Sequence, residues 1–178
     1  MVDILVVGGG IAGLSVAGRL SKSAKVTLLE AEENLGYHSS SRSAAAFIED
    51  YGNEVIREFN SASKSFLSKD GVDVLSPRGS LILGKKDEKY AFKEQCSGFA
   101  HNEISVSDAR SLIEIINNKS VEYAGYKEDI YDIDTDKLLQ YFTKDIKANG
   151  SEIYTDSKVI AAEFKEGKWY ITTDRKTF

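Results

Sequence analysis

The feature that most constrains the fold of this chain is a set of glycines between a predicted strand and a predicted helix. Gly8, Gly10 and Gly13 follow residues 3–7, a continuous β-branched and apolar run that is typical of a strand buried on both faces of a parallel sheet. Residues 11–21 are predicted to form a helix. The pattern G-x-G-x-x-G therefore lies between strand and helix, where a phosphate-binding turn requires it.

Each glycine in this pattern has a distinct function in a dinucleotide-binding turn. Gly8 allows the tight turn, Gly10 lets the backbone approach a diphosphate, and Gly13 permits close packing of helix on strand. The diphosphate then lies at the N-terminus of the helix, near the amides of Ile11 and Ala12.

A second buried strand is predicted over residues 25–30, and Glu30 ends it. An acid at this place accepts hydrogen bonds from both hydroxyls of the adenosine ribose and would repel a 2′-phosphate. The residues therefore favour FAD or NAD over NADP, but they do not separate FAD from NAD. A glycine turn that binds nothing is disfavoured by the whole constellation.

The stretch after the second strand is polar and rich in small residues. It offers many hydrogen-bond donors and then leaves room for a large flat group, which suits a flavin. The alternative is a polar loop leading into a small-residue helix. The residues concerned are Ser39, Ser40, Ser41, Arg42 and Ser43, followed by Ala44, Ala45 and Ala46.

Two amphipathic helices are predicted later in the chain. One runs over residues 53–69, with Asn53 as its cap and an apolar face assigned to core packing; that face consists of Val55, Phe59, Ala62 and Phe66. The other opens at Asp134 or Thr135 and stops at Asn149-Gly150. Its apolar face consists of Leu138, Phe142 and Ile146.

The remaining segments predict short strands and helices. Residues 72–83 are predicted to form broken strands, 87–98 a helix and 105–116 a capped helix. The β-type sequence here indicates a second layer. The predicted strands near the C-terminus cover residues 153–155, 158–165 and 168–173, with a tight turn at Glu166-Gly167.

Composition excludes several classes of function. The chain has 178 residues, a net charge of −5 and 42% hydrophobic residues, so nucleic acid is not an expected partner. The single cysteine, Cys96, is predicted to be a half-buried helix thiol in a reduced, cytoplasmic protein. No metal site is expected from Cys96, His38 and His101, and His101 is predicted to be exposed. No apolar run is long enough for a transmembrane segment.

Several motifs together resemble the D-amino-acid oxidase superfamily of FAD-dependent oxidoreductases, in particular bacterial dehydrogenases of the D-arginine dehydrogenase type. The matching pieces occur in the same order as in the family and are spread over the chain. They are VVGGGIAGLSVAGRL, VTLLEAEENLGYHSSSRSAAAF, Tyr51-Gly52, LSPRGSLILG and DIDTDKLLQYF.

The resemblance implies an α/β fold, with a Rossmann-type (GR2-like) FAD-binding domain of parallel sheet and β-meander and an incomplete α+β substrate domain. The FAD-binding domain would span residues 1–72 and 132–178, and the partial substrate domain 73–131. The glycine turn with Glu30 and Ala31 would hold the ADP portion. Val159 would make a backbone contact near the adenine. The pyrophosphate, ribityl chain and isoalloxazine would be lined by His38, Ser39, Ser40, Arg42, Ser43, Ala44 and Ala45.

Residues at three positions bear on the substrate. Tyr51 matches the tyrosine of the family's substrate-gating loop, although packing is the other interpretation. Ser41 stands where arginine-type relatives have glycine, and Ala46 stands where they carry an active-site histidine. Arginine is therefore not the expected substrate, and a D-amino acid or related amine is expected instead.

Family members are considerably longer, and the chain resembles their N-terminal half. An Asn-Ala-Ala-Gly stretch expected after the last strand does not occur. The sheet and the meander would leave apolar surface uncovered, so self-association or a complementary C-terminal chain is expected. Two hypotheses remain: an FAD-dependent oxidoreductase acting on C–N bonds, or a non-catalytic FAD- or NAD-binding module that acts only with a partner.

Overall fold

The computed structural model describes residues 2–178, which divide into two compact units. Residues 2–44 and 134–178 form the first unit, and Ala45–Ile133 forms the second. Residues 45–72, which the sequence assigns to the FAD-binding domain, thus lie in the second unit. The assignment of domains by function stays a prediction.

Residues 2–178 contain eleven strands and five α-helices in a mixed α/β arrangement. In chain order they are β1 (Ile4–Val7), α1 (Ile11–Leu20), β2 (Val26–Leu29), β3 (Ala46–Ile48), α2 (Glu54–Leu67), β4 (Leu75–Pro77), β5 (Ser80–Gly84), α3 (Lys89–Gly98), β6 (Asn102–Ile104), α4 (Val106–Leu112), β7 (Tyr123–Lys127), β8 (Ile130–Ile133), α5 (Thr135–Ala148), β9 (Glu152–Tyr154), β10 (Val159–Lys165) and β11 (Lys168–Thr173).

The first unit is built on a parallel sheet of order β1-β2-β9. All four residues of β2 are buried, as expected for the central strand of a covered parallel sheet. Helices α1 and α5 pack on each other, and Gly18 allows this approach because a Cβ there would lie 2.9 Å from the ring of Phe142. The predicted strand-helix-strand unit and the predicted inner face of α5 are confirmed.

Strands β10 and β11 form an antiparallel hairpin in the same unit. Glu166 and Gly167 both have positive φ in its turn, the conformation that a two-residue hairpin loop favours. Large apolar side chains of the hairpin are exposed, including Phe164 and Trp169. A depression of about 820 Å³ lies between the hairpin and β1.

The second unit contains two antiparallel sheets, of orders β3-β8-β4 and β5-β7-β6. The predicted strands within residues 72–83 are confirmed as β4 and β5. Strands β3, β6, β7 and β8 were not predicted, because each is three to five residues long and none has the clear alternation that signals a strand. A small apolar cluster of Ala109, Ile116 and Ala124 is covered by α4.

Helix α2 has the predicted position but the opposite orientation. Its predicted core face is exposed at Val55, Phe59 and Ala62, and Phe66 is only half-buried. Leu67 is the buried residue of the helix. The predicted core packing of this face is therefore wrong, because polar groups of the preceding loop occupy the side of the helix that faces the protein.

Three further predictions in the second unit need correction. His101 is buried rather than exposed, with its ring edge-on to Phe99, and burial lowers the pKa of its imidazole. The helix predicted over 105–116 ends at Leu112. Cys96 lies on a helix, α3, as predicted, but it is buried rather than half-buried, and burial raises the pKa of its thiol.

Candidate cofactor-binding site

The glycine turn joins the carboxyl end of β1 to the N-terminus of α1. Gly8 has a φ of +102°, which glycine adopts at little cost. A Cβ on Gly13 would overlap the carbonyl oxygen of Gly8, so this contact of helix and turn requires glycine. Gly10 is the N-cap of α1, and no side chain of its own caps the helix.

Glu30 directs its carboxylate into the glycine turn. Its Oε2 accepts a hydrogen bond of 2.5 Å from the amide of Gly9, and its Oε1 accepts one of 2.9 Å from the amide of Glu32. The carboxylate is buried in the unit. These two bonds fix the acid at the end of β2, beside the turn, where a ribose would be recognised.

The serine-rich segment folds back onto the same turn. The amide of Gly36 donates to the carbonyl of Gly9 at 2.9 Å, and the hydroxyl of Ser40 accepts from the amide of Ile11 at 3.0 Å. Arg42 lies over the ring of Tyr37, with its Cζ 5.0 Å from the ring centre. The structure thus brings the two predicted cofactor segments together, although they lie about 30 residues apart in the sequence.

The rest of the serine-rich segment is exposed. His38 is exposed and its Nε2 lies 2.9 Å from Oε1 of Glu32. Ala45 has a φ of +48°, an unusual conformation for a residue with a Cβ and one that is frequent at functional sites. Ser39, Ser43 and Ala44 belong to the same irregular stretch.

The turn between β9 and β10 lies beside the residues that follow β2. The amide of Ser157 donates to the carbonyl of Glu30 at 2.8 Å, and the amide of Asp156 donates to the carbonyl of Glu32 at 3.0 Å. Val159 follows two residues later. The structure therefore places the region of Val159 next to Glu30 and Ala31, and its contact with an adenine stays a prediction.

The open turn fits a dinucleotide. At Gly10, a Cβ would meet only the hydroxyl of Ser40, at 3.3 Å, so the N-terminus of α1 is approached by backbone and one small polar side chain. No acidic residue lies in the first turn of α1. An anionic diphosphate is therefore not repelled there, and the helix N-terminus favours it.

Over residues 3–178 the chain matches the FAD dependent oxidoreductase (DAO) family. The chain belongs to this family.

Solved structures agree with this membership of the DAO family at the level of the fold. L-α-glycerophosphate oxidase from Mycoplasma pneumoniae, solved with FAD bound, has 18% identity and a TM-score of 0.81 over 98% of this chain and 50% of its own. L-proline dehydrogenase from P. horikoshii has 19% identity and a TM-score of 0.79, over 99% and 50%. Glycine oxidase from Bacillus cereus has 20% identity and a TM-score of 0.77, over 99% and 52%. The chain thus spans about half the length of these relatives.

The loop that carries Tyr51, the tyrosine predicted to gate substrate in the DAO family, is well anchored within the second unit. Tyr51 is exposed, and its ring stacks on Phe99 with the ring centres 6.1 Å apart and the planes 13° from parallel. The side-chain amide of Asn60 donates to three carbonyls of this loop, at 3.2–3.3 Å. The neighbouring Asp50 forms an ion pair with Lys127, and this pair lowers the pKa of its carboxyl.

Two glycines of the site were not recognised as functional from the sequence. Gly9 is constrained because a Cβ there would come within 3.0 Å of Oε2 of Glu30. Gly36 has a φ of +70°, and a Cβ there would lie 2.6 Å from Leu139. The three consecutive glycines could have indicated Gly9, whereas the role of Gly36 depends on packing against α5 that local sequence does not reveal.

Within residues 2–178, no group of three or more His, Cys, Asp and Glu side chains is placed to hold a metal ion. Within the same range, no helix has the length and apolar character needed to cross a membrane.

Proposed function

We propose that this chain is the FAD-binding part of an oxidoreductase that oxidises the C–N bond of a D-amino acid or related amine. The observation that supports it most is the convergence of Glu30, the glycine turn and Ser40 at the N-terminus of α1. When bound, FAD would supply a two-electron acceptor for the hydride that the substrate loses from its α-carbon; water would then hydrolyse the resulting imine to a carbonyl compound, a keto acid where the substrate is an amino acid, with release of ammonium or an amine.

The chain's own residues would bind and orient the cofactor. The amides around Gly10, Ile11 and Ala12 would hold the diphosphate, and Glu30 would accept hydrogen bonds from the ribose. Ala31 and the backbone of Val159 would contact the adenosine end. The segment from His38 to Ala45 would line the ribityl chain and the ring system.

The substrate side of the proposal rests on fewer residues. Tyr51 would cover the substrate from its fixed place on Phe99, and Ala46 replaces the histidine expected in arginine-type relatives. A substrate smaller or less polar than arginine is therefore proposed. No acid-base catalyst is proposed among residues 2–178, and these residues would contribute position and electrostatics.

A second candidate function, that of one part of a split enzyme, is supported by the share of its relatives' length that the chain spans. The chain spans about half of the solved oxidoreductases that it matches, and its first unit exposes Val7, Ile160, Phe164 and Trp169. It would then be one part of a split enzyme, inactive until a complementary polypeptide or a second copy covers this surface. A cytoplasmic location is proposed with it, from the single reduced cysteine.

Cofactor binding is tested by reconstitution with FAD. The purified chain is mixed with FAD, and the bound cofactor is measured by visible absorption and identified after denaturation. In Gly10→Ala the added methyl group crowds the diphosphate, and we expect FAD to bind at least about tenfold more weakly, a loss of about 1.4 kcal/mol. Gly98→Ala is the matched control because a Cβ there meets no atom within 4 Å.

The result that would overturn cofactor binding is equal FAD affinity in the two variants, or no binding by the unmodified chain even together with its complementary polypeptide. Oxidation is tested separately. D-amino acids are added without oxygen to the FAD-loaded protein, and loss of the flavin absorption band is expected. Retention of the band with every D-amino acid and amine tried would leave a binding module without oxidase chemistry.

A further inference from the structure

Helix α2 has two faces of unlike chemistry. Its inner face carries Asn60, Lys64 and Leu67, spaced as i, i+4 and i+7. Asn60 holds the loop before the helix by three hydrogen bonds, and Nζ of Lys64 lies 2.5 Å from Oε2 of Glu49. Leu67 is buried. The helix is therefore fixed to its unit mainly through polar contacts.

The outer face carries the apolar residues. Val55, Phe59 and Ala62 repeat the same spacing, displaced from the inner set by about 140° around the helix. Val55 is 57% exposed and Phe59 is 65% exposed, and Ala62 is exposed as well. Ile56 adds a further exposed apolar side chain at the edge of this face.

This arrangement is the reverse of that expected for a surface helix, which normally turns its apolar stripe to the core. Single exposed apolar residues need no explanation, but a continuous stripe over two turns marks an interaction surface. The inner contacts hold the helix in this orientation, since rotating the apolar stripe inwards would break the hydrogen bonds of Asn60 and Lys64.

The chain's coverage of its relatives indicates what covers the stripe. The matched oxidoreductases are about twice as long as this chain, so roughly half of a complete fold is not supplied by residues 1–178. The stripe is bordered by the exposed carboxylates of Glu54 and Glu58. An apolar surface with lysine or arginine at its rim would complement it.

We propose that the outer face of α2, formed by Val55, Phe59 and Ala62, is the docking surface for polypeptide equivalent to the half of these relatives that the chain does not cover. The proposal rests on the proposed function, in which the chain is part of a larger oxidoreductase. It adds the surface that the missing half contacts and the chemistry of that contact.

Site-specific photocrosslinking tests the proposal. A benzophenone amino acid replaces Phe59 in the chain expressed in its own organism, and the peptides joined to it are identified by mass spectrometry. A second protein carries the same probe at Tyr90, a control position on α3 that is 83% exposed. We expect the probe at position 59, and not at position 90, to join peptides that resemble the second half of the DAO family.

An adduct only with another copy of this chain would overturn the proposal, as would adducts with unrelated proteins, no adduct, or equal yields at the two positions. As a second measurement, Phe59→Ser should reduce the co-purified complementary polypeptide by at least about tenfold, while Tyr90→Ser leaves it unchanged. Circular dichroism checks that both variants remain folded.

Flavin content separates the failure of the docking surface from the failure of the proposed function. If the probe at position 59 joins the complementary polypeptide in a preparation that contains no FAD, the docking proposal is supported and the proposed cofactor binding is overturned. If the complex contains FAD but no adduct forms at position 59, the proposed cofactor binding is supported and the docking proposal is overturned.

Discussion

Helices α2 and α5 begin alike and are buried in opposite ways. Each has fourteen residues, and each is capped by an Asx side chain that accepts a hydrogen bond from an amide three residues later, Asn53 from Ile56 and Asp134 from Lys137. In α5 the apolar stripe is buried, whereas in α2 it is exposed. An amphipathic pattern therefore identifies a helix and a face, but the partner that covers the face has to come from elsewhere.

The largest expected difference is in the unfolding free energy lost when the phenylalanine of each stripe is replaced by alanine. Phe142 of α5 is 3% exposed and packs against Gly18, so Phe142→Ala should cost about 3–5 kcal/mol of unfolding free energy. Phe59→Ala should cost less than about 0.5 kcal/mol. Amide hydrogen exchange within each unit is the measurement, because two units need not unfold together. Equal losses would contradict the assigned orientation of α2.

The second largest expected difference is between the stabilities of Asn60→Ala on α2 and Gln140→Ala on α5. Asn60→Ala leaves carbonyls of the loop at residues 48–51 without their donor, and we expect a loss of about 1–2 kcal/mol with faster exchange of the Tyr51 amide. Gln140→Ala on α5 is the control because its exposed amide donates to Asp136 on the same helix rather than to a loop. Its cost should stay below about 0.5 kcal/mol. Unchanged exchange at Tyr51 in Asn60→Ala would show that the loop is held by other contacts.

Removal of the N-cap side chain should destabilise the two helices equally. Asn53→Ala and Asp134→Ala each remove one side-chain acceptor from a helix N-terminus, and each should lower the free energy of unfolding by about 1 kcal/mol. The measurement is the same exchange experiment. If only one of the two variants lost unfolding free energy, the two caps would not be equivalent, and the prediction would be wrong.

The smallest expected effect is a pH dependence on the inner face of α2. The hydrogen bond from Lys64 lowers the pKa of the Glu49 carboxyl below its ordinary value of 4.5 and raises the pKa of Lys64. Because the folded-state pKa of the acid is depressed, its stabilisation is present above pH 4.5 and is lost as the pH falls through the folded-state value.

The variant Glu49→Gln measures this contribution. At neutral pH it should be less stable than the unmodified chain by no more than about 1 kcal/mol, since the pair is partly exposed and screened by water. The difference should shrink as the pH is lowered below 4.5, as followed by unfolding titrations at several pH values. A difference that is constant down to pH 3 would exclude the ion pair as its source.

Much of the first unit could be predicted from the sequence because its signals are local. The strand-turn-helix at Gly8–Gly13 and the inner face of α5 each depend on residues less than a dozen positions apart. The hydrogen bond from Ile11 to Ser40 could not be predicted as such, since it joins residues 29 positions apart. The short strands of the second unit, such as β6 and β8, lack enough residues to establish a period.

For the candidate site, the sequence predicts residues but not the contacts between them. The pattern of glycines and an acid predicts Gly10 and Glu30 as cofactor-binding residues, which stays a prediction, and it does not show that Glu30 accepts a hydrogen bond from the amide of Gly9. The orientation of α2 was not predictable, because periodicity alone cannot distinguish a stripe that faces its own core from one that faces another polypeptide.

The hydroxyl of Ser40 gives the turn a hydrogen-bond partner before any ligand arrives. The first amide of α1 is already satisfied by that hydroxyl, so the turn can keep its shape without an anion. If the turn binds the proposed diphosphate, a phosphate oxygen that takes this amide would replace the serine hydroxyl, and the gain in binding free energy at this amide would be the difference between a charged and a neutral acceptor. Binding there would exchange one acceptor for another rather than satisfy an unpaired donor.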